Sequence, residues 1–166
     1  MSQGVMNILM RRDIQSVSVT RPADTTAYTA LDVIGTAVTS TLTFNMGLPK
    51  KDKVLVVGVK LRIDAAAIPA GMGNFRLHIY NTDPTAIADN AAFTVIAGDR
   101  AGYQGYITIP APVLMGATII CQDSNVNLPC EFADGSSTLY GVLQVVDAYT
   151  PASATVYTMT LKVVGL

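Results

Sequence analysis

Val54-Leu55-Val56-Val57-Gly58-Val59-Lys60-Leu61-Arg62-Ile63-Asp64 decides the fold. Leu55, Val57, Val59, Leu61 and Ile63 recur at every second position, the period of a strand whose successive side chains point to opposite faces. The other face, from Val54 and Val56 through Gly58 to Lys60, Arg62 and Asp64, begins apolar and ends charged. That pattern reads as a strand that starts beneath a second layer and emerges at an edge or rim.

The same period recurs outward in both directions. Ile14–Thr20 alternates with Val17 and Val19 on one face, and Thr39–Asn45 with Leu42 and Phe44. Tyr28–Ile34, beyond the break at Pro22, reads as a further strand. Asn74–Tyr80 turns Phe75, Leu77 and Ile79 inward and Arg76, His78 and Tyr80 outward. Further strands are expected at Gly105–Ile109, Ala117–Gln122, Val126–Cys130, Thr138–Val146 and Thr155–Val164. Thr138–Val146 is apolar on both faces, Leu139, Leu143 and Val145 against Tyr140, Val142 and Val146, which places it centrally. Residues 81–104 form the longest irregular stretch, in which Thr85–Ala92 is expected to hold a short helical turn. About nine strands at short turn-marked intervals describe an all-β, single-domain antiparallel β-sandwich, and the eight-stranded jelly roll is the first expectation. The Met-rich residues 1–13 read as an N-terminal arm and 14–166 as the sandwich domain.

Composition agrees. The chain has 166 residues, enough to bury roughly 68–70% of its unfolded surface in one domain. Charged residues are 14% of the total, and Glu131 is the only glutamate beside eleven aspartates. Thr, Val, Gly, Asp and Asn stand where a helical protein would carry Glu and Lys. A net charge of −1 gives no electrostatic footprint for nucleic acid. Arg11-Arg12 and Lys50-Lys51-Asp52-Lys53 read as solvated charge. No apolar run is long enough for a transmembrane helix, and the first residues lack the cationic start of a secretory signal. No membrane or nucleic-acid partner is therefore expected. Cys121 and Cys130 flank a short polar segment that a hairpin could close, but two cysteines argue weakly for a disulfide, and two reduced, buried thiols are the expectation.

The sequence offers little that reads as catalytic chemistry. His78 is the only imidazole, set on a strand face with Arg76 and Tyr80, where it reads as solvated or as a polar contact. A nucleophile elbow of the Gly-x-Ser-x-Gly type is missing. A glycosidase pair would have to be two aspartates. Asp83, Asp89, Asp99, Asp123 and Asp134 read more simply as turn residues bonding nearby amides, with loop calcium as the lesser reading. Gly102, Gly105 and Gly116 form no phosphate-binding fingerprint. No cofactor, metal or catalytic residue is assigned. The chain has no Trp, so a glycan site would rest on tyrosines; of Tyr103 and Tyr106, one is expected to pack inward and one to cap the surface.

Three phrases carry a resemblance. Arg21-Pro22-Ala23-Asp24-Thr25-Thr26-Ala27-Tyr28, with Asp32-Val33-Ile34-Gly35 after it, resembles a phrase near the start of small structural proteins of tailed bacteriophages. Asp89-Asn90-Ala91-Ala92-Phe93, with Gly105-Tyr106 downstream, is similar to their middle segment, and Ala154-Thr155-Val156-Tyr157 with the terminal strand to their closing phrase. The resemblance implies a non-enzymatic virion protein of the capsid decoration (cement) type, made in the host cytoplasm and carried on the capsid exterior. Its implied partners are the major capsid protein and further copies of itself, as a homotrimer. The family supplies no catalytic residues. The candidate contacts chosen from the sequence are Met6, Ile8, Leu9, Arg11 and Arg12 of the arm, and the outward-facing Arg62, Arg76, His78 and Tyr80. The alternative expectation is a head-fibre or tail-associated adhesin that binds a host glycan.

Overall fold

The alternating segments pair antiparallel into two stacked sheets. The computed structural model describes residues 11–48 and 53–166. In chain order the strands are β1 (Arg12–Thr20), β2 (Val33–Ile34), β3 (Thr41–Asn45), β4 (Lys53–Ile63), β5 (Phe75–Tyr80), β6 (Tyr103–Ile109), β7 (Val113–Leu114), β8 (Ile119–Asp123), β9 (Leu128–Glu131), β10 (Thr138–Val145) and β11 (Val156–Gly165). A six-stranded sheet runs β1-β11-β4-β8-β7, with β9 also paired to β4. A five-stranded sheet runs β2-β10-β5-β6, with β3 also paired to β10. The protein is thus an all-β antiparallel β-sandwich. Neighbours in each sheet are mostly distant in sequence, so the chain crosses repeatedly between layers.

The inner faces interdigitate. Val19, Leu42, Phe44, Phe75, Leu77, Ile79, Leu139, Leu143 and Val145 are all buried in the main core, as the alternation predicts. β10 is central, with β5 on one side and β2 and β3 in succession on the other.

Four expectations are corrected. First, the faces of β4 are not continuous. Its pairing with β11 shifts register between Lys162 and Val163, so that Val57 is an extra residue between Gly58 and Val56. The strand changes phase there: Val54 and Val56 point into the core before the bulge, and Val59, Leu61 and Ile63 after it. β4 is also no rim strand, since β11 flanks it on one side and β8 and β9 share the other.

Second, Tyr28–Ile34 is not one strand. Asp32 accepts hydrogen bonds from the Thr29 amide (2.6 Å) and hydroxyl (2.9 Å), and Leu31 takes a φ of +74°. This turn leaves only Val33–Ile34 as strand, with two isolated bridges, Tyr28 to Tyr149 and Asp32 to Ala92. Third, Thr85–Ala92 holds no helical turn; a 3₁₀ turn lies later, at Ala97–Asp99. Residues 88–93 instead run alongside 31–36, with the Val33 amide bonded to Ala91 O (2.9 Å) and the Phe93 amide to Leu31 O (3.0 Å). Fourth, β1 begins at Arg12, two residues into the expected arm; most of that arm, with Met6, Ile8 and Leu9, lies outside the described residues.

Candidate interaction surface

Most conspicuous polar side chains are turned into the molecule. Arg21 follows β1 directly, ahead of Pro22, and its side chain is fully buried. Its Nη2 meets Asp24 Oδ1 at 3.0 Å and Asp89 Oδ2 at 3.3 Å, and its Nε donates to the Tyr28 hydroxyl at 3.3 Å. Its Nη1 donates to the carbonyl oxygens of Asp24 and Ala152. Asp89 completes the node by accepting from the Tyr28 hydroxyl (2.7 Å) and the Gly35 amide (2.9 Å). Burial above all, then the Tyr157 phenol and the Asp89 carboxylate, raise the Tyr28 pKa well beyond its ordinary value. The Arg21 amide bonds to Thr155 O (3.1 Å), and the Tyr149 and Tyr157 hydroxyls meet at 3.0 Å nearby.

Asp89 is therefore no local turn residue: it bridges segments 54 and 61 positions away. Asp123 does act locally, toward the Asn125 amide, whereas Asp99 accepts from the amide and hydroxyl of Thr85, 14 residues earlier.

His78 and Tyr80 lie on the non-core face of β5, as alternation requires, but not at the surface. His78 is 4% exposed and Tyr80 2%. The loop 81–104 folds back over this face, and Ile87, Phe93 and Tyr103 pack with Val33, Tyr80 and Val142 in a second small core. The His78 ring stacks on Phe93 at 3.7 Å between centroids. Gln144 donates its amide to Leu31 O (3.0 Å), which leaves its Oε1 to accept from His78 Nε2–H at 3.0 Å. His78 Nδ1 then accepts from the Tyr103 hydroxyl, also at 3.0 Å. Desolvation lowers the His78 pKa to about 4, with Arg76 adding to the effect and the Gln144 bond opposing it. The imidazole is neutral and both nitrogens are occupied.

Tyr103 packs inward beside Tyr80, whereas Tyr106 is exposed with the Arg76 guanidinium 5.3 Å from its ring centroid. Cys121 and Cys130 are free and buried, opposite Leu61 and Val54 of β4 respectively. Among the described residues no group of three or more His, Cys, Asp or Glu side chains is placed to hold a metal ion. Among them, too, no helix is long and apolar enough to cross a membrane.

Of the expected contacts, Arg11 is exposed just ahead of β1 and Arg76 is half-buried beside Tyr106 on the five-stranded sheet, while Arg12 and Arg62 lie on the outer face of the six-stranded sheet. Ser16 and Ser18 of β1 pair their hydroxyls with Thr160 and Thr158 of β11, both at 2.8 Å, and make its centre flat. Arg62 donates to Thr158 Oγ1 (3.3 Å) and holds Asp64 (3.1 Å). Exposed apolar side chains flank this centre: Ile14 on one side, and Val113, Leu114 and Met115 at the β7 edge on the other. Sequence reading missed this edge because β7 is only two residues long.

No family model matches the chain, and no curated protein does. Among solved structures it is similar to a chain of the cyanophage Pam1 capsid asymmetric unit, at 16% identity and a TM-score of 0.39 over 100% of this chain and 92% of that one. It is similar to AvmM, which catalyses macrocyclization in alchivemycin A biosynthesis, at 11% identity and 0.33 over 81% and 64% of the two chains. It is also similar to a chain of Maize Chlorotic Mottle Virus, at 9% identity and 0.29 over 93% of each. At these scores the likenesses carry no argument about function.

Proposed function

We propose that the protein is a non-enzymatic structural component of a tailed-phage virion, which binds the capsid exterior across subunit junctions and stabilises the head. One observation carries this reading. The three phrases that resemble small phage structural proteins, separate in sequence, meet in one buried node: Arg21 and Tyr28 from the first, Gly35 after it, Asp89 from the second and Thr155 from the third. The resemblance thus falls on the framework that holds the sandwich together, where a shared fold leaves its trace.

The strand order supports the jelly-roll expectation. With the short pairings set aside, the two layers read β1-β11-β4-β8 and β3-β10-β5-β6, eight strands in two four-stranded sheets. The buried, fully bonded His78 and the thiols whose pKa burial raises to about 12 favour a binding role over a catalytic one. A rigid sandwich with one flat open face is suited to clamping neighbouring subunits, and a homotrimer would multiply the attachment without new contact chemistry. Binding only the assembled shell stabilises it by mass action.

The test is co-sedimentation of purified protein with expanded tailed-phage heads that lack decoration, followed by heating. Bound protein and heads that release DNA at a higher temperature are expected. Heads left bare and unchanged sink the proposal. Deletion of residues 1–10 leaves β1 intact, and weaker attachment is expected if that segment contributes.

A further inference from the structure

We propose that the outer face of the six-stranded sheet is a cationic docking face for an acidic protein surface; on the reading above, that surface belongs to the capsid. The net charge of −1 conceals an uneven distribution. Arg12 on β1, Lys162 on β11 and Lys60 on β4 follow one another diagonally across three adjacent strands. The registers fix this: Ile14 lies opposite Lys162, and Thr160 lies opposite both Ser16 and Lys60. Such diagonal neighbours stand roughly 7–8 Å apart, within reach of long side chains. Arg62 extends the stripe by one more outward position of β4.

Among the described residues, Arg62 is the one of these four cations that holds a carboxylate, that of Asp64. Asp13 lies beside Arg12, but it accepts from the Ile14 amide (2.8 Å), the Gly47 amide (2.5 Å) and the Gln15 side chain (3.1 Å). Asp24, Asp32, Asp83, Asp89, Asp99 and Asp147 all sit in connections; on the strands of this sheet Glu131 of β9 is paired with Lys53 of β4 (2.9 Å), and Asp123 at the end of β8 accepts from the Asn125 amide. Asp13 keeps its charge and offsets part of that of Arg12 and Lys162. The stripe on this rigid sheet thus carries an excess of positive charge, and among the described residues Arg12, Lys60 and Lys162 form no ion pair.

The surroundings select the class of partner. Two grooves open on this face. One, of about 460 Å³, sets Arg12 and Lys162, with Asp13, beside Ile14, Val57 and Val164. The other, of about 580 Å³, sets Lys60 beside Val113, Met115 and Ile120. Each pairs a cation with apolar side chains, as a protein surface with carboxylates and apolar knobs requires. A single-stranded nucleic acid would call for aromatic platforms, and none of these groove residues is aromatic. A duplex would call for a wider basic stripe than four residues.

The first test needs no phage. Poly-L-glutamate is titrated into the full ¹⁵N-labelled chain at low salt, and backbone amide shifts are mapped. Shifts confined to β1, β4 and β11 around Ile14, Lys60 and Lys162, abolished in Lys60→Glu/Lys162→Glu, are expected. The absence of shifts, or shifts centred on 81–104, overturns the assignment. Duplex DNA that moves the same amides at lower concentration also overturns it, in favour of nucleic acid. The second test uses the undecorated heads. Lys60→Glu/Lys162→Glu should weaken attachment by about tenfold or more and flatten its salt dependence, whereas Arg100→Glu in the loop should not. Heads that bind wild type and the double reversal equally refute the docking face and leave the virion reading standing. Heads that bind neither, with the polyglutamate map intact, refute the virion reading and leave the face standing.

Discussion

The guanidinium of Arg21 lies 3.3 Å from the carboxylate of Asp89, 68 residues further along the chain, and both side chains are buried. Removing one partner of such a pair leaves the other charged and unpaired in the interior, at a cost of about 3–5 kcal/mol. Arg21→Ala is therefore expected to lower the unfolding free energy by that order in urea titration. Arg21→Ala/Asp89→Asn should lose less than the sum of the single variants, by about 1 kcal/mol or more, because the orphaned charge is gone. Additive losses would show that the two residues act separately.

This node marks the limit of what was legible in the sequence. Alternation in Val54–Ile63, Phe75–Tyr80 and Thr138–Val145 places strands and core residues, because one buried face imposes a period of two. The apolar second face of Thr138–Val146 announces a covering layer as well. Alternation is blind to an inserted residue, so the bulge at Val57 put Leu55 on the wrong face. It is equally blind to what returns over a strand from elsewhere. Arg76, His78 and Tyr80 share a face by pattern, and only the loop 81–104 decides that His78 and Tyr80 are buried. Arg21 gives no local sign of burial; Asp24 and Tyr28 are close to it in sequence, but Asp89 and Ala152 reach it only in three dimensions.

Cys121 and Cys130 face residues seven positions apart on β4. At a rise of about 3.3 Å per residue that separates them by roughly 20 Å, far beyond the ~7 Å between Cα atoms that a disulfide can span. Burial raises both thiols to about 12. Both are expected to be unreactive toward a disulfide reagent at neutral pH in the folded protein and to react fully in denaturant. Rapid labelling of either thiol in the native state would contradict their burial.

Gly71 has a φ of +85°, and a Cβ at this position would lie 2.4 Å from the backbone oxygen of Ala148. No side-chain adjustment relieves a clash with backbone, and an L-residue is strained at that φ. Gly71→Ala should cost roughly 2 kcal/mol in the same titration, with the circular dichroism of the native state unchanged. Gly98→Ala is the control: nothing lies within 4 Å of its added methyl, and little change is expected.

His78 gives acid stability a distinct window. In the folded chain its pKa is lowered to about 4, while the unfolded value is 6.5. Between these values the unfolded chain binds the extra proton, so stability rises with pH through this range. The contribution is complete above about pH 6.5 and falls away as the pH drops toward 4, a loss of roughly 3 kcal/mol at one pKa unit per 1.36 kcal/mol. Urea midpoints measured between those limits should follow this slope. Carboxylates whose folded values are lowered, such as Asp13 and Asp24, act below it, as the pH falls past their ordinary value of 3.8. His78→Gln keeps a side chain able to donate and accept but cannot titrate. It should unfold more easily at neutral pH and lose the slope between pH 4 and 6.5. A variant that keeps the slope would assign it to another group. Wild-type protein whose imidazole NMR titration midpoint stays near 6.5 would contradict the burial of His78 beneath Phe93.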